Sequence, residues 1–105
     1  MMLKNEGERA RIRGIQPEMI FALMVANEVY KKYGYELTVT SIAELSPGRK
    51  KGSRHLSGYA VDLRTRDMSH AHQNKIWLDI SEALGPDYDV ILESNHIHIE
   101  FDPEP

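Results

Sequence analysis

The sequence predicts an α+β domain. Three observations carry that expectation: helical spacing of apolar residues over 17–33, a second helical stretch opening at Ser69, and two pairs of short strand-like stretches, one pair after each helix. The order is helix, strand, strand, helix, strand, strand. With 105 residues, a single domain over 1–105 is expected, its first 14 residues forming a charged, extended N-terminal segment.

The first helix has its start and stop written in the chain. Pro17 suits the first helical position, where its missing N–H costs nothing. Glu18 in the first turn and Lys31 and Lys32 in the last complement the helix dipole, and Gly34 falls where a left-handed cap belongs. Phe21, Met24, Val25 and Val29 lie at i, i+3, i+4 and i+8. Ile20, Ala22 and Leu23 extend the apolar character around most of the axis, so this helix is expected at the centre of the core.

Residues 36–41 partly alternate and are rich in Thr and Val, which reads as a strand. Residues 44–54 hold Ser46-Pro47-Gly48 and four basic side chains and read as an exposed loop. Tyr59 to Arg64 alternates as a second strand. Ser69 is a good N-cap for the second helix, whose apolar stripe is Ile76, Ile80 and Leu84; Gly85-Pro86 ends it. Tyr88 to Leu92 and Asn95 to Phe101 read as two more strands, joined by a hairpin around Glu93-Ser94.

Composition excludes several classes. There are no cysteines, so disulfides, thiolate metal sites and a cysteine nucleophile are all ruled out, and a transition metal would have to be held by His and Asp/Glu. Net charge is −3, and the basic cluster Arg49-Lys50-Lys51-Arg54 has no aromatic interleaving, so it reads as a solvated loop and no nucleic-acid partner is expected. No apolar run is long enough to span a membrane. Residues 1–13 are polar and lack a signal-peptide apolar segment, so synthesis in the cytoplasm without a signal peptide is expected.

Chemistry concentrates in two places. Within Ser53-Arg54-His55-Leu56-Ser57-Gly58-Tyr59-Ala60-Val61-Asp62, His55 and Asp62 are seven apart, which in one continuous strand would put them on opposite faces. Gly58 lets the chain turn. A strand starting after it puts Ala60, Asp62 and Arg64 on one face and Tyr59, Val61 and Leu63 on the core face. In Asn95-His96-Ile97-His98-Ile99-Glu100-Phe101, His96, His98 and Glu100 share one face, and Ile97, Ile99 and Phe101 the other. His70 and His72 form a second His-x-His, but at a helix start, where two positions are about 200° apart around the axis. They read as surface residues.

His55, Asp62 and one strand histidine make a His₂-carboxylate set. Zinc with three such ligands keeps a fourth position open, which is the mark of a catalytic site. A hydrolase also needs a general base and a donor for the oxyanion; Glu93 and His96 are the nearest candidates in sequence.

Ser53-x-His55-x-x-Gly58-x-Ala60-x-Asp62, followed by His96-x-His98, resembles the zinc D-Ala-D-Ala carboxypeptidase and L,D-endopeptidase family. That family includes bacteriophage cell-wall endolysins and shares its fold with the hedgehog signalling domain. The resemblance implies a small, mostly antiparallel sheet with two helices packed on one face and a zinc site on the other. It implies Zn²⁺ on His55, Asp62 and His98, Glu93 as the base that activates water, and His96 as a transition-state stabiliser. The implied substrate is a peptidoglycan stem peptide, met by a phage- or prophage-encoded enzyme acting on the cell wall as a monomer. Many members carry an Arg shortly after a Thr-Ser step to anchor a substrate carboxylate; here that stretch is Ile42-Ala43-Glu44, leaving Arg49, Lys50, Arg54 and Arg64 as alternatives. A second expectation is a non-catalytic, zinc-containing binding module of the hedgehog type, since a fold does not fix a function.

Overall fold

A computed structural model of the chain describes residues 1–3, 17–45 and 58–103. The elements are β1 (Met2–Leu3), α1 (Pro17–Lys32), β2 (Thr38–Leu45), β3 (Gly58–Arg64), α2 (His70–Leu84), β4 (Tyr88–Leu92) and β5 (His96–Phe101). The fold is a small α+β arrangement of two helices and a sheet in the order β1-β2-β3-β5-β4. Four strands, β2 to β5, pair antiparallel, and the two-residue β1 joins the edge in parallel.

Both helices end as their sequences dictate. Gly34 has φ +87°, and the amides of Gly34 and Tyr35 donate to the carbonyls of Lys31 and Tyr30 at 3.0 Å each. These two bonds make the double closure that a glycine beyond the last turn permits. At the start of α2 the Ser69 Oγ accepts from the His72 amide at 3.1 Å, and at its end Gly85 adopts φ +82° while donating to Ser81 O.

The core lies between the helices and one sheet face. Met19, Ala22, Leu23, Ala26 and Tyr30 of α1 and Ile76, Ile80 and Leu84 of α2 pack with Val39, Ile42, Val61, Leu63, Ile97 and Ile99 from three strands. Polar tips tie the layers together. Tyr30 donates to Arg64 O at 2.9 Å, Tyr88 to Glu18 O at 2.8 Å, and Trp77 Nε1 to Val90 O at 2.8 Å. Burial pushes the Tyr30 hydroxyl pKa above its ordinary value, so it remains a donor.

Three expectations need correcting. The strand expected at 36–41 begins at Thr38 and runs on to Leu45, so residues 44 and 45 belong to strand, not loop; pairing with β3 as far as Leu45 opposite Gly58 overrides local composition. The rest of the expected loop, 46–54, lies outside the described residues. α1 is also not buried on most sides: Ile20, Phe21 and Met24 are 43%, 49% and 61% exposed, because the helix packs on the sheet through its other face alone. Finally, His72 is no free surface group. Its Nδ1 lies 2.6 Å from the Tyr35 hydroxyl, and its ring packs against Tyr33 and Tyr35.

Register then builds the outward face. In β3 and β5, Val61, Leu63, Ile97 and Ile99 turn to the core, so strand alternation sends Asp62, Arg64, His96, His98 and Glu100 to the other side. Between Val39 opposite Leu63 and Ser41 opposite Asp62, β2 carries one extra residue, Thr40. This bulge lets Val39 and Ile42 both reach the core although they are three apart. It also brings the Thr40 hydroxyl onto the Asp62 carbonyl at 3.3 Å.

Candidate metal centre

Asp62 and His98 are direct partners across β3 and β5, and Arg64 is the partner of His96. The consequence is a three-residue cluster: ligand atoms of Asp62, His96 and His98 all lie within 4.8 Å of one another. His98 Nδ1 is 2.7 Å from Asp62 Oδ1, and His96 Nε2 is 3.7 Å from the same oxygen. Tetrahedral bonds of about 2.0–2.1 Å would put neighbouring ligand atoms roughly 3.3–3.5 Å apart. The two Asp62 separations bracket that figure, so one carboxylate and two imidazoles stand close enough together that they could hold a divalent ion.

Each histidine is held by its other nitrogen. His96 Nδ1 is 2.6 Å from Asn95 Oδ1. His98 Nε2 is 2.8 Å from Glu100 Oε1, on a side chain only 7% exposed. Burial alone would lower the His98 pKa, but the hydrogen bonds to Glu100 and Asp62 outweigh it and raise the value above that of an ordinary imidazole. His98 thus has a carboxylate oxygen within hydrogen-bond distance of each ring nitrogen.

A cleft of about 340 Å³ opens beside the cluster, lined by Thr40, Asp62, Arg64, Arg66, Asn95 and His96. The loop carrying Arg66 is pinned. Thr65 donates its amide to Asn95 O, and the Gln73 amide group donates to Thr65 O and Met68 O at 3.2 and 3.1 Å. Among the described residues neither the Arg64 nor the Arg66 guanidinium forms an ion pair, and both residues line the cleft beside the cluster.

Of the site residues expected from sequence, Asp62, His96 and His98 converge, and Arg64 lines the adjoining cleft. His96 was expected beside the metal; its Nε2 lies near enough to be a ligand. Glu93 is exposed at the β4–β5 turn, donates its amide to His96 O at 2.8 Å, and is not part of the cluster. His55, Arg49 and Arg54 lie outside the described residues. Sequence reasoning missed Arg66, Asn95 and Thr40. For Arg66 the available signal was its place two residues after Arg64 in Asp62-Leu63-Arg64-Thr65-Arg66.

Comparison with protein-family models, with curated proteins and with solved structures returned no match. Among the described residues no helix is long and apolar enough to cross a membrane.

Proposed function

We propose that this chain is a zinc-dependent metallopeptidase that hydrolyses peptide bonds of peptidoglycan stem peptides, as a D-Ala-D-Ala carboxypeptidase or an endolysin-type endopeptidase. The supporting observation is the convergence of Asp62, His96 and His98 on the outward face of the antiparallel sheet, with ligand atoms within 4.8 Å of one another. The donor set of imidazole and carboxylate, in a chain without cysteine, suits zinc. In this reading His55 completes the set with Asp62 and His98, and His96 stands beside it.

Bound zinc would supply a Lewis acid that polarises the scissile carbonyl and activates water. The chain's own groups do the rest. Glu93, at the hairpin that leads into the histidine strand, accepts a proton from the attacking water and passes it to the leaving amine. His96, braced by Asn95, faces the developing oxyanion with Nε2. Arg64 and Arg66 hold a carboxylate of the peptide in the cleft, through charge-assisted hydrogen bonds of the kind guanidinium makes well.

The test is digestion of purified peptidoglycan with the zinc-loaded chain, with and without a chelator, read by mass spectrometry of the released muropeptides. Chelator-sensitive release of peptide fragments is expected; no release from any cell-wall peptide by a chain that holds zinc would remove the reading. That outcome would favour a second one, a non-catalytic zinc-containing binding module of the hedgehog type. One observation speaks for it: Glu93 is exposed and is not among the residues that form the cluster.

A further inference from the structure

The two nitrogens of His98 face two different carboxylates, and the two contacts are not equivalent. Asp62 lies on the neighbouring strand, 28% exposed, shares the cluster with His96, and borders the open cleft. Glu100 lies on His98's own strand two residues on, 7% exposed, directed at the far side of the ring and outside the cluster. An ion held by Asp62 and His98 would meet His98 at the nitrogen that faces Asp62, Nδ1.

We propose that Glu100 is a positioning residue of the metal centre: its carboxylate accepts the Nε2–H of His98, fixes the tautomer, and thereby makes Nδ1 the coordinating atom. The proposal rests on the metal reading above.

The physical case is one of order and basicity. A strand histidine is free to flip its ring and present either nitrogen; a buried acceptor at 2.8 Å from Nε2 removes that freedom. A carboxylate behind a metal-bound imidazole also makes the ring a stronger donor, and loss of such partners costs about 10–100-fold in metal affinity. The outward face of β5 supplies both parts, since residues two apart on a strand share a face. His96 offers an internal comparison. Its outer nitrogen is Nδ1, held by the neutral Asn95 amide oxygen at 2.6 Å, so Nε2 is the nitrogen turned toward Asp62. The two histidines of one His-x-His strand thus present opposite nitrogens to the same place.

The test uses the full chain with zinc alone. Long-range ¹⁵N–¹H correlation spectra of the zinc-loaded wild type are expected to show His98 metallated at Nδ1 with a protonated Nε2. Zinc affinity, measured by competition with a chromophoric chelator, is expected to fall about tenfold in Glu100→Gln, which keeps the size and an acceptor oxygen but loses the charge. The His96 Nδ1–H signal should be unchanged in that variant, which separates loss of a tuned ligand from general damage. Coordination of His98 through Nε2, or a Glu100→Gln affinity within twofold of wild type, would overturn the proposal while leaving the metal reading intact. A wild-type chain that takes up no zinc would overturn both.

Discussion

His98 Nδ1 stands 2.7 Å from Asp62 Oδ1, although the two lie 36 positions apart in the chain. They meet because they are register partners on adjacent antiparallel strands, which brings their Cβ atoms to about 4.5–5.5 Å on one face. No local signal encodes this meeting, and a one-residue slip of β5 would turn His98 into the core and Ile97 or Ile99 out. Burial of Ile97 and Ile99 therefore holds the site together from behind.

Asp62→Asn tests the pair directly. The substitution keeps the shape of the side chain and removes the charge that a cation needs. Zinc content after dialysis is expected to drop from about one per chain, the stoichiometry of a single site, to a small fraction. Elemental analysis of both proteins measures it, and full retention of zinc would remove Asp62 from the ligand set.

Glu93→Gln separates binding from chemistry. Glu93 is exposed and outside the cluster, so the variant should fold and hold zinc as the wild type does. Loss of a general base costs about 10²–10⁴-fold in rate. Muropeptide hydrolysis at saturating substrate is expected to fall into that range. A rate within a fewfold of wild type would assign the base elsewhere.

Much of this arrangement was legible in the chain because it depends on local rules. Pro17, Gly34, Ser69 and Gly85 mark the helix ends, and each sits where capping chemistry puts it. Alternation in 59–64 and 96–101 separates core from outward residues, and the burial of Val61, Leu63, Ile97 and Ile99 follows it. What was hidden depends on partners distant in sequence. The Thr40 bulge exists only against Asp62 and Leu63 of β3. Arg66 and Asn95 come to one cleft because the Thr65 amide bonds to Asn95 O, 30 positions along the chain. Helical spacing likewise could not say that Ala22 and Ala26 would face the core while Phe21 and Met24 would not.

Arg66→Ala probes the cleft. Arg66 is exposed and carries no ion pair among the described residues, so its removal should leave stability within about 0.5 kcal/mol. A hydrogen bond between charged groups contributes about 1.5–3 kcal/mol, which corresponds to roughly tenfold or more in binding. KM for a stem peptide bearing a free carboxylate is expected to rise by that factor with zinc content unchanged. An amidated peptide should show little difference between the two proteins. Equal KM values for the acid peptide would exclude Arg66 as its anchor.

A pH effect is expected where the helices meet. The Tyr33 hydroxyl donates to Asp79 at 2.7 Å and the Lys32 ammonium at 3.2 Å, and these bonds hold the Asp79 carboxyl below its ordinary pKa. A carboxylate depressed by folding stabilises the native state above its unfolded value and loses that contribution as pH falls through the folded value. Asp79→Asn should therefore melt at a lower temperature than wild type near pH 7, and the gap should close as pH is taken below the ordinary carboxylate range. Calorimetry across pH 2–7 reads both. A gap that stays constant with pH would mean that packing, not charge, accounts for the difference.

Gly34→Ala isolates the cost of backbone geometry from that of packing. Gly34 has φ +87°, and a Cβ built there meets no atom within 4 Å, so no steric neighbour resists the methyl group. What remains is the intrinsic penalty of a left-handed residue with a side chain, about 1–2 kcal/mol. The penalty cannot be escaped by relaxing φ, because the amides of Gly34 and Tyr35 close the end of α1 on Lys31 O and Tyr30 O. Tyr30 in turn reaches across the core to Arg64 O, so a frayed helix end would loosen the strand that carries Asp62. Urea unfolding is expected to show a lower midpoint with an unchanged slope, the pattern of a stability change without a change in exposed surface. A midpoint equal to wild type would show that the chain end tolerates another conformation and that the αL cap contributes nothing.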